Sequence, residues 1–411
     1  MQFNCNFCKA PLTQTFCDLG TSPVSNSFIR PEYAQAPEPF YPLHVYACSR
    51  CFLVQLPEHK SAGEIFNDDY VYFSSMSDSW LAHSKTYCDM MRSRFALTPA
   101  SRVIEVASND GYLLQYFDAM GIPVLGVEPS GNVADVARKK GIETLVRFFG
   151  ISLATELKRS GRQADLLLGN NVLAHVPDIN DFVAGLEIAL KPEGVITMEF
   201  PHLLRLIDGV QFDTIYHEHF SYFSLTAVQS IFAAHDLTVF DVEELSTHGG
   251  SLRIFAAHHG AARATVNPNI DRLLAREKAV GLTDVSRFEE FSERVKEAKR
   301  ALLEFLIKAK RDGKKVVAYG AAAKGNTLLN YCGVRADFVD FVVDRAPSKQ
   351  GRLLPGTRIP VLAPEAIDAA KPDFLLILPW NLRDEIVSSM SHIRQWGGTF
   401  VIPLPTVEII P

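Results

Sequence analysis

No apolar run in this 411-residue chain approaches the ~20 residues that an α-helical bilayer crossing needs, so no membrane span is expected. Basic charge is not in excess either: 41 Lys and Arg stand against 47 Asp and Glu, a net charge of -6. Nucleic acid and anionic membranes therefore have no electrostatic hold on it. The N-terminus, MQFNCNFCKAP, lacks a charged segment followed by an apolar stretch. No secretory signal is expected, and the cytoplasm is the default location. Cysteines are few and odd in number, seven in all, which argues against a full disulfide framework. The dinucleotide fingerprint G-x-G-x-x-G is also missing.

The chain is long enough for two or three domains. Residues 1–66 are rich in Pro, with short strand and turn signals, and so small a unit needs a staple. Two Cys-x-x-Cys pairs supply one. Cys5 with Cys8 and Cys48 with Cys51 form two knuckles whose four thiolates predict a tetrahedral zinc site, structural because no coordination position stays open. From residue 67 to 264, strand runs alternate with helices: RVIEVAS, a helix from Gly111, PVLGVEPS, a helix from Val133, ADLLLGNN, a helix from Ile179, and GVITMEF. That rhythm predicts an α/β unit with a parallel sheet, closed by an antiparallel pair, LTVFDVEEL and SLRIFAAH. Residues 265–411 begin with a helical region whose apolar positions 288, 291, 295, 298, 302 and 305 share one face. A second, smaller Rossmann-like α/β unit follows it.

In EVASNDGYLLQYF a strand runs into a tight turn, Ser108-Asn109-Asp110-Gly111, and then a helix. The next strand ends at Glu128, placed to accept both hydroxyls of a ribose, and the third at Asn170 and Asn171. A pyrophosphate needs several glycines, and only Gly111 stands in this turn. S-adenosylmethionine has no phosphate to cradle, and Glu105 is placed to face its cationic amino acid part. The turn therefore favours that cofactor over NAD.

Several motifs in one order now carry a resemblance over nearly the whole chain: the two cysteine pairs, E-V-A-S-N-D-G, G-V-E-P-S, L-A-H-V-P-D at 173–178, Y-H-E-H at 216–219, H-G-G-S at 248–251 and A-Y-G-A-A-A-K-G-N-T at 318–327. The chain resembles the S-adenosylmethionine-dependent C-methyltransferases of nucleotide-linked deoxysugars. Ala107 departs from the pattern, since many methyltransferases carry Gly there.

The resemblance implies a 4-keto-6-deoxy sugar on a nucleoside diphosphate, methylated beside the carbonyl, at C3 in preference to C5. Such chemistry needs a base, donors for the enolate oxygen and alignment with the methyl group. Following the family pattern, His219 is the expected base, with Tyr216 its rival or relay. Glu218 orients the base or grips a sugar hydroxyl, and His175 and Tyr70 complete the catalytic set. An extended segment would put Tyr216 and Glu218 on one side and His217 and His219 on the other, whereas a turn would gather them. Phe220, Tyr222 and Phe223 read as core.

Substrate contacts are expected from His248, Gly249, Gly250 and Ser251. In the C-terminal unit Lys324, Asn326 and Thr327 sit at a strand-to-helix turn suited to phosphate, with Asp344 and Asn381 beside it. Methyl transfer to oxygen or nitrogen of another small molecule, and a non-catalytic nucleotide-binding scaffold, are the competing readings. Nothing in the sequence specifies an oligomeric state, and a monomer is compatible with it.

Overall fold

The computed structural model describes residues 3–66 and 72–411. Its largest sheet has seven strands in the order Leu237–Leu245, Ser251–His258, Leu190–Pro201, Ala164–Asn170, Val103–Val106, Val124–Val127 and Thr144–Leu145. Only Ser251–His258 runs against its neighbours. Val103–Val106 is buried at every position, because helices cover both faces of a parallel sheet. Chain order reverses between Val103–Val106 and Ala164–Asn170. Helices on the two sides of that reversal lie on opposite faces, which leaves a crevice at the C-terminal strand ends.

Sequence patterning locates these strands well and helix starts less well. The helix expected from Gly111 begins at Leu114, because Gly111, at φ 75°, still belongs to the turn. The helix expected from Val133 spans Gly131–Lys139. No sequence signal marks Thr144–Leu145, too short to show a period, or helix Ile151–Arg159, whose cap Gly150 has no side chain to announce it.

The N-terminal sheet has the order Gln14–Ser22, Tyr41–Ala47, Val54–Gln55 and Ser221–Tyr222. Its last strand comes from far along the chain: Val54 pairs with Tyr222 and Gln55 with Ser221. The unit is not stapled by cysteines alone. Phe16 stacks on Phe291 at 4.8 Å and meets Phe288 edge-on at 5.1 Å. One continuous core joins Phe16, Leu43 and Val45 to Phe212 and to Leu302 and Val316. Area that a 60-residue unit cannot bury by itself is thus buried against the rest of the protein.

Helix Phe288–Arg311 buries Phe288, Phe291, Val295, Ala298, Leu302, Leu306 and Ala309, the apolar stripe of the sequence with Leu306 in place of the half-buried Phe305. Beyond it lies a sheet ordered Val361–Leu362, Val342–Val343, Val316–Tyr319, Phe374–Ile377, Thr399–Ile402 and Glu408–Ile410, parallel except for the last strand. Its expected DFVDFVVD strand shrinks to Val342–Val343. Among the described residues no helix is long and apolar enough to cross a membrane.

Candidate active site and metal centre

The four cysteine sulfurs of the two knuckles lie within 4.8 Å of one another, with Cys5 to Cys51 and Cys8 to Cys48 both 3.5 Å apart. Zinc–sulfur bonds of ~2.3 Å at tetrahedral angles put sulfurs ~3.8 Å apart, so the set fits zinc. Each knuckle turns through one left-handed residue, Lys9 after Cys8 and Phe52 after Cys51, both at φ 60°. Amide donors point at the sulfurs: Gln55 Nε2 at 3.2 Å from Cys5 and Arg50 N at 3.4 Å from Cys48. Such donors offset the charge of metal-bound thiolates.

At the crevice of the large sheet lies a cavity of about 650 Å³. Its walls come from all three sheets' surroundings: Asn26 from the first, the strand-end residues Asn109, Glu128, Asn170 and Asn171, and Lys324 and Lys349 from the C-terminal unit. Glu128 accepts the N–H groups of Asn109 at 3.0 Å and Ser130 at 2.9 Å, and each carboxylate oxygen keeps a lone pair for the cavity. Trp80, Tyr112, Phe149 and Val127 supply an apolar lining. Asn171 donates to His248 Nε2 at 3.0 Å while its buried Oδ1 has no hydrogen-bond partner. An orphaned acceptor and a carboxylate poised for ribose hydroxyls fit the bound S-adenosylmethionine that the turn predicts.

Other expected cofactor residues lie behind this wall. Glu105 is fully buried beside the Tyr112 hydroxyl, and burial holds its carboxyl well above the ordinary range. Val106, Ala107 and Tyr112 line the cavity at that point instead. Ser108 faces Gly126, and Gly111 faces helix Gly131–Lys139, where a Cβ would sit 3.2 Å from Ala137. Glu105 stays on strand Val103–Val106, and Ser108 and Gly111 thus shape the turn. Ala107 adopts φ 56° there, a conformation that costs a β-carbon strain and that glycine accepts freely.

The Y-H-E-H stretch forms a turn, His219 N donating to Tyr216 O at 2.9 Å. Tyr216, Glu218 and His219 all face the cavity, while His217 turns away to Pro42 O at 3.2 Å. The extended grouping is thereby replaced by the gathered one. His219 Nδ1 donates to Thr214 O at 2.8 Å, which fixes the tautomer and leaves Nε2 as the acceptor of the Tyr216 hydroxyl, also at 2.8 Å. His175 packs 4.7 Å from the His219 ring and donates Nδ1–H to Glu218 O at 2.8 Å. Burial pushes His219 well below its ordinary range, with His175 adding to the effect, and lowers His175 to about 4. Both rings are neutral at pH 7. Glu218 goes the other way, up to about 7 through burial. Phe220, Tyr222 and Phe223 are buried, as a core assignment requires. Tyr70 lies outside the described residues.

Of the expected substrate residues, His248 and Lys324 reach the cavity. Gly249 and Gly250 build the turn beside it: a Cβ on Gly249, at φ 92°, would sit 2.4 Å from the Trp380 ring. Ser251 spends its hydroxyl on Thr247 O. Asn326 donates to Ser25 O at 2.6 Å and Thr327 to Ile215 O at 2.9 Å, so both tie the C-terminal unit to the others instead of lining the cavity. Asp344 accepts the N–H groups of Ala321 and Ala346, and Asn381 accepts Lys324 Nζ at 2.7 Å. Polar residues at such turns meet neighbouring backbone as readily as ligand, and spacing alone cannot separate the two.

Asn26, Trp80 and Lys349 also line the cavity, outside every motif of the sequence, and beside Lys324 the Trp380 indole donates to the Asp213 carboxylate at 2.7 Å. Burial raises Asp213 to about 6 and lowers Lys324, which lies near enough to pull Asp213 back down. Scarcity was a usable signal for the tryptophans, of which the chain has three. Asn26 carried no signal at all.

Three family models match the chain in succession: a zinc binding domain over residues 5–66, a methyltransferase domain over 80–242 and a C-methyltransferase C-terminal domain over 246–405. Among curated proteins, the C-methyltransferase NovU of Streptomyces niveus is 35% identical over 95% of this chain and 93% of its own. A ubiquinone biosynthesis O-methyltransferase of Chelativorans sp. is 28% identical over 23% of this chain and 38% of its own. Among solved structures, magnesium protoporphyrin IX methyltransferase from Synechocystis PCC 6803, with bound S-adenosylmethionine, covers 47% of this chain and 88% of its own at 15% identity and a TM-score of 0.34. A partial match to an O-methyltransferase accounts for one segment, whereas NovU accounts for the zinc knuckles, the methyltransferase sheet and the C-terminal unit together. The chain belongs to the S-adenosylmethionine-dependent C-methyltransferases that join a zinc binding domain to a methyltransferase domain and a C-methyltransferase C-terminal domain.

Proposed function

We propose that the protein methylates a carbon next to the 4-keto group of a nucleoside-diphosphate-linked deoxysugar, at C3 in preference to C5. The observation that carries this reading is the meeting, in one cavity, of the Tyr216–His219 pair with the strand-end residues Glu128, Asn170 and Asn171 and with Lys324. A proton-abstracting group, a nucleoside-binding edge and a buried cation are what enolate formation on an anionic sugar nucleotide needs.

Glu128, Asn109, Asn170 and Asn171 would hold the cofactor, and bound S-adenosylmethionine supplies an electrophilic methyl group. His219 Nε2 is the basic atom. A proton leaving the sugar carbon passes to the Tyr216 oxygen as the tyrosine's own proton moves to Nε2, so the imidazole gains one proton and the sugar becomes an enolate. Burial keeps the ring neutral at physiological pH, so Nε2 holds a free lone pair there. Thr214 O then holds the imidazolium in place through Nδ1–H. Lys324 and Lys349 face the diphosphate.

The test is incubation with the cofactor and candidate 4-keto-6-deoxy nucleotide sugars in D2O, followed by mass spectrometry. The expected result is a product heavier by one methyl group that has lost the reacting carbon's hydrogen, with deuterium exchange at that carbon in substrate recovered from incubations that lack the methyl donor. Methylation without loss of any carbon-bound hydrogen would overturn the proposal. Removing the charge in Lys324→Ala is expected to weaken binding of the nucleotide sugar about tenfold to a hundredfold, read by calorimetry, with cofactor affinity unchanged.

A further inference from the structure

Glu218 is buried and faces the cavity, and its carboxylate has one hydrogen-bonding partner among the described residues. That partner is Asn26, from the zinc-bearing segment 192 positions away. Its Nδ2 lies 2.8 Å from one carboxylate oxygen and 2.9 Å from the other. We propose that Asn26 is a positioning residue for methyl transfer, its side-chain amide aiming the Glu218 carboxylate into the cavity. This inference rests on the reading of the cavity as the methyl-transfer site with Glu218 acting as a carboxylate there.

Asn26 is itself held. Its neighbour Ser25 accepts Asn326 Nδ2 at 2.6 Å through the backbone carbonyl, and the Ser25 hydroxyl lies 3.5 Å from that of Thr327. The loop is wedged between the catalytic turn and the C-terminal helix Ala323–Cys332. A short side chain on a loop fixed at both ends has little freedom, so its amide offers a preorganised donor.

The titratable and charged groups that line the cavity with Glu218 are Tyr216 and His219 on its own turn, His175 after strand Ala164–Asn170, Lys324 and Lys349 from the C-terminal unit, Glu58 from the N-terminal one, and Tyr72, Tyr112, Glu128, Arg147, Asp178, Asp181 and His248 along the remaining wall. Neither His175 nor His219 carries charge at pH 7. Burial raises Glu218, and the Asn26 hydrogen bonds oppose that rise. Loss of the amide therefore raises Glu218 further, and the carboxylate form persists only at higher pH.

The experiment compares the full-length wild type with Asn26→Ala and with Asn26→Asp, which keeps the shape, loses the donor and adds a like charge beside Glu218. Expected are a fall in kcat of about tenfold or more at pH 7 and an acid limb of the pH–rate profile moved up by about one to two pH units, more in Asn26→Asp than in Asn26→Ala. Labelled-glutamate 13C NMR should follow the same shift in the Glu218 carboxyl without reference to turnover. In a Glu218→Gln background the Asn26 changes should no longer move the limb. An unmoved Glu218 titration in both variants overturns the inference. If the carboxyl titration shifts while the pH–rate profile stays fixed, the positioning contact stands and the assignment of Glu218 to methyl transfer is what fails.

Discussion

Replacing His219 with Asn or Ala is expected to cut methyl transfer by about a hundredfold or more, with cofactor binding nearly intact. The imidazole is the one group in the turn with a basic atom aimed at another cavity-facing hydroxyl, and its tautomer is set by Thr214 O. Neither substitute supplies that atom. The nucleoside edge, Glu128 with its two backbone donors, lies on a different strand end and is untouched. Tyr216→Phe isolates the relay. It keeps the ring, tilted and 4.0 Å from that of His219, and removes only the oxygen. A loss comparable with that of His219→Asn places both on one proton path, because members of such a path are not additive. Single-turnover transfer of a labelled methyl group reads the chemistry, and calorimetry with the cofactor reads binding. A His219→Asn rate within a fewfold of wild type would show that the base lies elsewhere.

The second large effect is expected from zinc. Cys48→Ser or Cys51→Ser should lower the metal content below one per chain and the melting temperature by on the order of 10 °C. The damage should spread beyond the knuckles. Gln55 donates to Cys5 Sγ and accepts Asn6 N–H through its side chain, while its backbone pairs with Ser221, two residues past His219. Leu56 N donates to Phe220 O, and Phe220 N to Ala174 O beside His175. Asn180 ties the first knuckle to helix Ile179–Ala189 by donating to Asn6 O and Phe7 O. Loss of the metal therefore removes a support of the Tyr216–His219 turn. Hydrogen exchange across residues 216–222 should quicken in the depleted protein, and methyl transfer should fall with it. Unchanged exchange there after complete removal of zinc would mean that the metal acts only on its own knuckles.

The loop that supplies Asn26 and the strand that ends at Gln55 show why an N-terminal metal unit belongs in a methyltransferase of this kind. The zinc segment contributes part of the cavity wall and the three strands on which Ser221–Tyr222 is added as an edge. The C-terminal unit contributes Lys324 and Lys349 to the opposite wall and fastens itself through Asn326, Thr327 and Trp380. Each unit is thus incomplete as a site without the other two.

Read alone, the sequence determined what is local. Cys-x-x-Cys spacing sets a knuckle, alternating apolar runs set a covered parallel sheet, and Y-H-E-H puts proton-transfer groups within one turn of each other. Each of these is decided by interactions over a few residues, so the pattern is visible in the string. Only the tertiary structure decided which polar residues face the cavity. Glu105, Ser108 and Asn326 look like ligand contacts by position but are buried behind the wall or bonded to neighbouring backbone. Asn26 looks like an ordinary loop residue until a turn almost two hundred residues later closes on it. Contacts of that range depend on how three separately patterned units share one core, and no spacing along the chain encodes that geometry.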